Sequence, residues 1–242
     1  MGTYSYEVDY YAEPLVRFDV PESGVYCIEW SVESGKLEVF SWIEDLMDTS
    51  GAALTTEALY VSSESYATSV TTLWQFEEGH SYVLYGSGYG LSTVTLTVTK
   101  VGTDAEDEDF VPVWRVYNPY SGEHHFTVDQ NEYSTLVSLG WTGEGICWLA
   151  PEESSTPVYR LYNPYSGDHH YTTNATEVAT LVALGWEDEG IGWYSSGSGT
   201  AVYRLYNPFV TSYYHHYTVD SNEYATLLTL GWSDEQVGWY GL

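Results

Sequence analysis

Positive charge is almost missing from this chain of 242 residues: 6 Lys and Arg stand against 35 Asp and Glu, a formal charge of −29. The deficit runs through both halves, with 20 acids and 3 bases up to position 110 (−17) and 15 acids and 3 bases beyond it (−12). A field of that sign repels phosphate backbones and anionic headgroups, which excludes nucleic acid and membrane surfaces as partners. It also keeps a secreted protein soluble. Cysteine is scarce as well. Cys27 and Cys147 allow at most one bridge, lie in different parts of the chain, and are expected as free thiols. No apolar run approaches the roughly 20 residues that span a bilayer, so membrane insertion is not expected. The start at Met1 has neither a charged nor an apolar leader segment. That leaves an intracellular chain or a piece of a longer secreted precursor, and low Lys with abundant Tyr, Thr and Ser favours the second.

Aromatic side chains are plentiful, with 25 Tyr and 10 Trp against 2 Met. Such rings carry a large apolar area with a polar handle and suit surfaces that grip ligands, although β-rich cores also absorb them. Apolar residues make up 43% of the chain, enough for a packed core.

Residues 4–101 read as short strands between Gly, Ser and Pro clusters: Leu15–Val20, Val25–Trp30, Lys36–Phe40, Tyr82–Tyr85 and Thr93–Val98. Their period-two alternation predicts an antiparallel β-sandwich. The segments F-x-V-P-x-S-G-V-Y, from Phe18, and F-x-x-G-H-S-Y-V-L, Phe76 to Leu84, resemble the jelly-roll accessory domains of secreted bacterial peptidases. Residues 102–112 follow as a linker dominated by the acidic run Asp104–Asp109, which cannot pack. No Gly inside the run bends it around a calcium ion.

From 113 to 242 one pattern occurs three times, in copies 113–156, 157–201 and 202–242. Each opens on V-[WY]-R-[VL]-Y-N-P, continues through a His-His pair, an aromatic and Thr, and closes on Gly-Trp with a second Trp seven residues later. The third copy has two extra residues after Pro208. The opening strand, an Asn-Pro turn and a second strand make a hairpin. Asp129/Glu132, Asn174/Glu177 and Asp220/Glu223 have the capping-box spacing that starts a short helix, and Gly140, Gly185 and Gly231 end it. Copies this small must bury their apolar faces on one another. The expected fold class is therefore mainly β: a jelly-roll-like sandwich followed by a three-repeat, β-trefoil-like domain with one short helix per copy.

The pattern Y-R-L-Y-N-P-x-S-G-[ED]-H-x-[FY]-T…G-W-x-x-E-G-I-x-W resembles an uncharacterised repeat family of secreted and cell-surface proteins. That resemblance implies extracellular attachment or ligand binding, without catalytic residues to carry over. Copy one departs from it at Trp114, Cys147 and Leu149, and copy three at Gln236.

Arg115, Arg160 and Arg204 recur at one position and are expected to clamp Glu144, Glu189 and Glu235, with Glu132, Glu177 and Glu223 as the other choice. Within each His-His pair, the first should pack with the aromatic two positions on and the second face outward. One His per copy meeting on a threefold axis would make a metal site; a structural role is favoured, and no metal or cofactor is expected. Acids that recur with the copies are explained by caps and ion pairs. No G-x-S-x-G occurs, so no enzyme is expected. The reading is a secreted or cell-surface binding module, monomeric, with a glycan or a surface protein as partner. Its alternatives are an adhesion or spacer module, or the accessory region of a larger hydrolase. Candidate ligand contacts are Tyr117, Asn118, His125 and Trp148 in copy one; Tyr162, Asn163, His170, Trp193 and Tyr194 in copy two; and Tyr206, Asn207, His216, Trp239 and Tyr240 in copy three. Trp141, Trp186 and Trp232 are assigned to the core.

Overall fold

The computed structural model describes residues 2–7, 15–32, 36–38, 42–45, 54–57, 60–61, 69–85, 87–89, 93–102, 110–210 and 215–242. The chain divides into two compact units, Met1–Glu106 and Asp107–Leu242. The fold is mainly β, as the alternation predicts.

In the first unit the strands are β1 (Gly2–Glu7), β2 (Leu15–Asp19), β3 (Gly24–Val32), β4 (Lys36–Glu38), β5 (Trp42–Asp45), β6 (Leu54–Glu57), β7 (Tyr60–Val61), β8 (Ser69–Phe76), β9 (Ser81–Tyr85), β10 (Ser87–Tyr89) and β11 (Thr93–Gly102). They form antiparallel sheets in the orders β1-β11-β3-β8-β7, β2-β9-β5-β6 and β10-β4. Phe18, Tyr82 and Leu84 from the second sheet meet Ile28, Trp74, Phe76 and Leu96 from the first in one buried core. Two sheets sharing their inner faces are the expected sandwich.

Residues 103–109 of the predicted linker lie outside the described residues, and its last three, 110–112, already belong to a strand. The second unit runs β12 (Phe110–Tyr117), β13 (His124–Thr127), α1 (Gln130–Ser138) and β14 (Thr142–Pro151). It then repeats as β15 (Pro157–Asn163), β16 (Asp168–Thr172), α2 (Ala175–Ala183) and β17 (Glu187–Tyr194), and as β18 (Thr200–Tyr206), β19 (His215–Thr218), α3 (Ser221–Thr229) and β20 (Ser233–Gly241). Each copy is its own three-stranded sheet with the opening strand in the middle: β13-β12-β14, β16-β15-β17 and β19-β18-β20. Among the described residues the three-copy body is thus built from separate sheets, with no barrel.

Its centre is aromatic. Trp148, Trp193 and Trp239 lie 5.8, 5.7 and 6.0 Å apart, pair by pair, in a triangle of one ring per copy. Above it Phe126, Tyr171 and Tyr217 meet edge to face at 5.5–5.8 Å. All six rings are buried. Edge-to-face contact places the positive rim of one ring on the negative face of the next.

Two hydroxyls stitch this layer across copies. Tyr171 Oη donates to the Phe126 carbonyl and accepts from the Phe126 N–H, both at 3.0 Å. Tyr217 Oη does the same to Tyr171 at 3.1 Å. Phe126 has no hydroxyl, so the third link of the ring is not made. Phe126→Tyr is therefore expected to add about 1 kcal/mol of stability, the net worth of one buried hydrogen bond. Urea unfolding checks this; a lowered midpoint would mean the third corner has no room for an oxygen.

Candidate functional site

The two faces of each central sheet decide what its side chains can do. Every copy meets the next along a seam, and the seams are where the titratable groups collect. Arg115, Arg160 and Arg204 clamp the glutamate of their own closing strand, as anticipated: Nε lies 2.8 Å from Glu144, 2.9 Å from Glu189 and 2.8 Å from Glu235. Each also reaches the helix glutamate of the preceding copy. Arg160 Nη1 is 2.8 Å from Glu132, Arg204 Nη1 3.1 Å from Glu177, and Arg115 Nη1 3.7 Å from Glu223. The last pair joins copy three back to copy one and closes the ring. Both partners weighed from the sequence are therefore used.

The helix glutamates are available because the capping box forms by half. Asp129, Asn174 and Asp220 cap their helices through side-chain oxygens, as read. The N–H of each cap residue, however, donates at 3.0 Å to the hydroxyl two residues earlier, Thr127, Thr172 or Thr218. That replaces the back-bond expected from Glu132, Glu177 and Glu223, which turn to the seam instead.

The histidines correct the sequence reading. His125, His170 and His216 are buried rather than outward-facing. Their face is covered by the helix glutamate, with Nε2 at 3.4, 3.2 and 3.2 Å from Glu132, Glu177 and Glu223. Nδ1 of His125 and of His170 lies 3.2 and 3.3 Å from the Tyr171 and Tyr217 hydroxyls. Each pairs edge-on with the first histidine of the next copy: His125 with His169 at 4.4 Å, His170 with His215 at 4.5 Å and His216 with His124 at 4.8 Å between ring centres. Burial, then the neighbouring His216 and Arg115, push the His124 pKa down to about 3. Burial also holds His125 and His170 below the usual imidazole range. No histidines meet on the axis, because aromatic rings fill it.

The tryptophans exchange places. Trp148, Trp193 and Trp239, expected to contact ligand, are the buried triangle and have no free face. Trp141, Trp186 and Trp232, assigned to the core, are half-buried, each edge-on to the buried histidine of its copy at 6.2 Å. Strand register explains this. Trp148 pairs with Val113 and Thr142 with Tyr117, which puts Tyr117 about 13 Å along the strand from the triangle. Tyr194 and Tyr240 end the closing strands at the triangle's end of the sheets, away from Tyr117, Tyr162 and Tyr206, so the composite site read from the sequence is split between two ends. Cys147, where copies two and three have Gly, donates from Sγ to the Val113 carbonyl at 3.0 Å. Burial pushes its thiol up to about 12, and neither Cys27 nor Cys147 is in a disulfide.

At the other end, the Asn-Pro turns form an aromatic rim. Asn118 and Asn163 Oδ1 accept from the N–H groups two and three residues on, and Asn207 Oδ1 from Phe209 N–H, which fixes the turns. Tyr117, Tyr162 and Tyr206 are half-buried against His124, His169 and His215 at 4.9, 5.1 and 5.5 Å. The tip residues stand clear: Tyr120, Tyr165 and Phe209 are 86%, 85% and 72% exposed. They sit beside Gly140, Gly185 and Gly231, where a Cβ would come within 3.9, 3.2 and 3.1 Å of the ring side chain. Sequence reading passed over these tips as turn formers. The available signal was an aromatic at one fixed position of each turn. Between copies three and one the rim borders an open cleft of about 600 Å³, lined by Tyr117, His124, Asn207, Phe209, Glu223 and Trp232 among others.

These features define a mainly-β protein whose second unit is a ring of three like copies with ion-paired seams and an aromatic rim. The chain belongs to the DUF5648 family, described as a domain of unknown function, whose model matches residues 112–242. No curated protein and no solved structure matches the chain.

Proposed function

We propose that the three-copy unit is a non-catalytic binding module of a secreted or cell-surface protein, and that its ligand is a neutral carbohydrate held at the rim. One observation carries this reading: Tyr120, Tyr165 and Phe209 present an exposed ring at the same position of each copy. An aromatic face carries partial negative charge and attracts the C–H face of a sugar ring. Beside Phe209, the cleft adds Asn207 and His124 as partners for hydroxyls. The net charge of −29 favours neutral over acidic sugars. Three equivalent weak sites suit multivalent attachment.

The seam acids do not contradict the non-enzyme reading, since they are committed to Arg and His. A second reading, docking on a surface protein, draws on Leu139, Leu184 and Leu230, which are exposed next to the rim glycines.

Glycan-array binding is expected from the wild-type chain, weakened about tenfold by Phe209→Ala and lost when Tyr120, Tyr165 and Phe209 are all replaced by Ala. These side chains are exposed, so the variants should keep their fold. Silence across a broad array would end the carbohydrate reading and leave protein docking.

A further inference from the structure

The first seam brings together Glu123, which also lines the rim cleft, and the imidazoles of His125 and His169. Glu123 stands just before the His-His pair of copy one and is buried, 5% exposed, although its side chain is a carboxyl group. Its Oε1 lies 2.6 Å from Nδ1 of His169 in copy two. His125, 2% exposed, packs edge-on against the same imidazole at 4.4 Å and 70°. Its Nε2 makes no hydrogen bond; the nearest acid oxygen is Glu132 Oε1 at 3.4 Å. One donor atom from each of Glu123, His125 and His169 falls within 4.8 Å of the other two.

We propose that Glu123, His125 and His169 form a binding site for a divalent transition metal of the zinc class, which braces copy one to copy two. Two imidazoles and one carboxylate are borderline donors that suit zinc and leave a fourth position for water. Bonds of about 2.0–2.2 Å hold tetrahedral donors roughly 3.3–3.6 Å apart, so side-chain rotations of about 1 Å complete the shell. The surrounding charge matches a dication. Glu123, Glu132 and Glu189 give three negative charges near the pair, and Arg160 supplies one positive, for a net of two negative. With Nε2 as the ligating atom, the Tyr171 hydroxyl at Nδ1 serves as the outer partner that orients the ring.

The other seams provide internal comparisons. The second has the pair His170 and His215 with Asp168 before it, a carboxylate shorter by one methylene. The third has His216 and His124, and the sequence places Tyr214 where the acid would stand. A strong site is therefore expected at the first seam and none at the third.

The test uses the full chain without a histidine tag. Added zinc chloride at about 100-fold over its dissociation constant should raise the melting temperature of the three-copy unit by about 5 °C or more. Titration should give one tight equivalent per chain. Cobalt(II) should give visible absorption bands of a nitrogen- and oxygen-ligated ion. Glu123→Gln and His169→Gln should each remove the shift and the bands, while Asp168→Asn should leave both. If either variant fails to fold by near-ultraviolet circular dichroism, the wild-type cobalt spectrum and stoichiometry decide. No shift and no bands in the wild type would overturn the proposal. So would a shift that survives both first-seam variants, or one that Asp168→Asn abolishes. No sugar enters the experiment, so its outcome is independent of the carbohydrate reading.

Discussion

Trp193→Ala is expected to cost the three-copy unit about 3–5 kcal/mol, the range for deleting a large buried ring whose site cannot collapse. Its ring touches Trp148 at 5.8 Å, Trp239 at 5.7 Å and Tyr171 at 5.1 Å, so the cavity would open into the shared centre of all three copies. Against a typical stability of about 5–15 kcal/mol, one such change should leave much of the unit unfolded at 37 °C. Trp186→Ala in the same copy is the matched control, because that ring is half-buried. It should cost roughly 1–2 kcal/mol at most. Urea unfolding followed by near-ultraviolet circular dichroism separates the two. Equal losses would refute the central triangle.

Acid should destabilise the same unit from an unusually high pH. His124, with its pKa pushed to about 3 from an ordinary 6.5, stays neutral in the fold, whereas the unfolded chain takes up that proton near 6.5. The folded-state pKa is lowered, so the stabilisation is complete above 6.5 and is lost as pH falls toward the folded value. Each such imidazole adds a slope of up to about 1.4 kcal/mol per pH unit. His125 and His170 act in the same direction, since burial lowers both.

The helix glutamates enter later. The imidazoles of His170 and His216, with Nε2 at 3.2 Å, hold Glu177 and Glu223 below the carboxylate value of 4.5, Glu223 at about 2. Glu132 is also held low; burial opposes its ionisation, but His125, Thr127 and Arg160 outweigh it. Their contribution is present above 4.5 and is lost below it. The urea midpoint should therefore decline from about pH 6.5 and fall more steeply below 4.5. His124→Gln should flatten the upper part of the curve. A midpoint that does not change between pH 7 and 5 would show that the buried imidazoles are not neutral.

Much of this architecture could be read from the residues because local rules and tertiary demand agree. Alternation in Leu15–Val20 and Thr93–Val98 located strands, and the Asp129, Asn174 and Asp220 caps located the helices. The recurring Arg and Glu were bound to pair in a chain with so few cations. Which of two tryptophans is central could not be read. Trp141 and Trp148 look alike in sequence, and their fates depend on a register with irregularities between Val113 and Trp114 and between Trp114 and Val116. The reach of Glu132 was hidden for a related reason. A Thr two residues before the cap takes over its expected bond, and its real partners, His125 and Arg160, include a residue of the next copy. The exposed tips at Tyr120, Tyr165 and Phe209 were masked by a turn composition that promises only a bend.

The tryptophan triangle also fixes how this unit can grow. Open stacks of like units lengthen by one at either end, since every end offers a fresh face. Here each indole already touches both others, and Arg115 ties the last copy to the first. A fourth copy would find no berth. Adding one copy to this unit would break the triangle, and losing one would strand the remaining two.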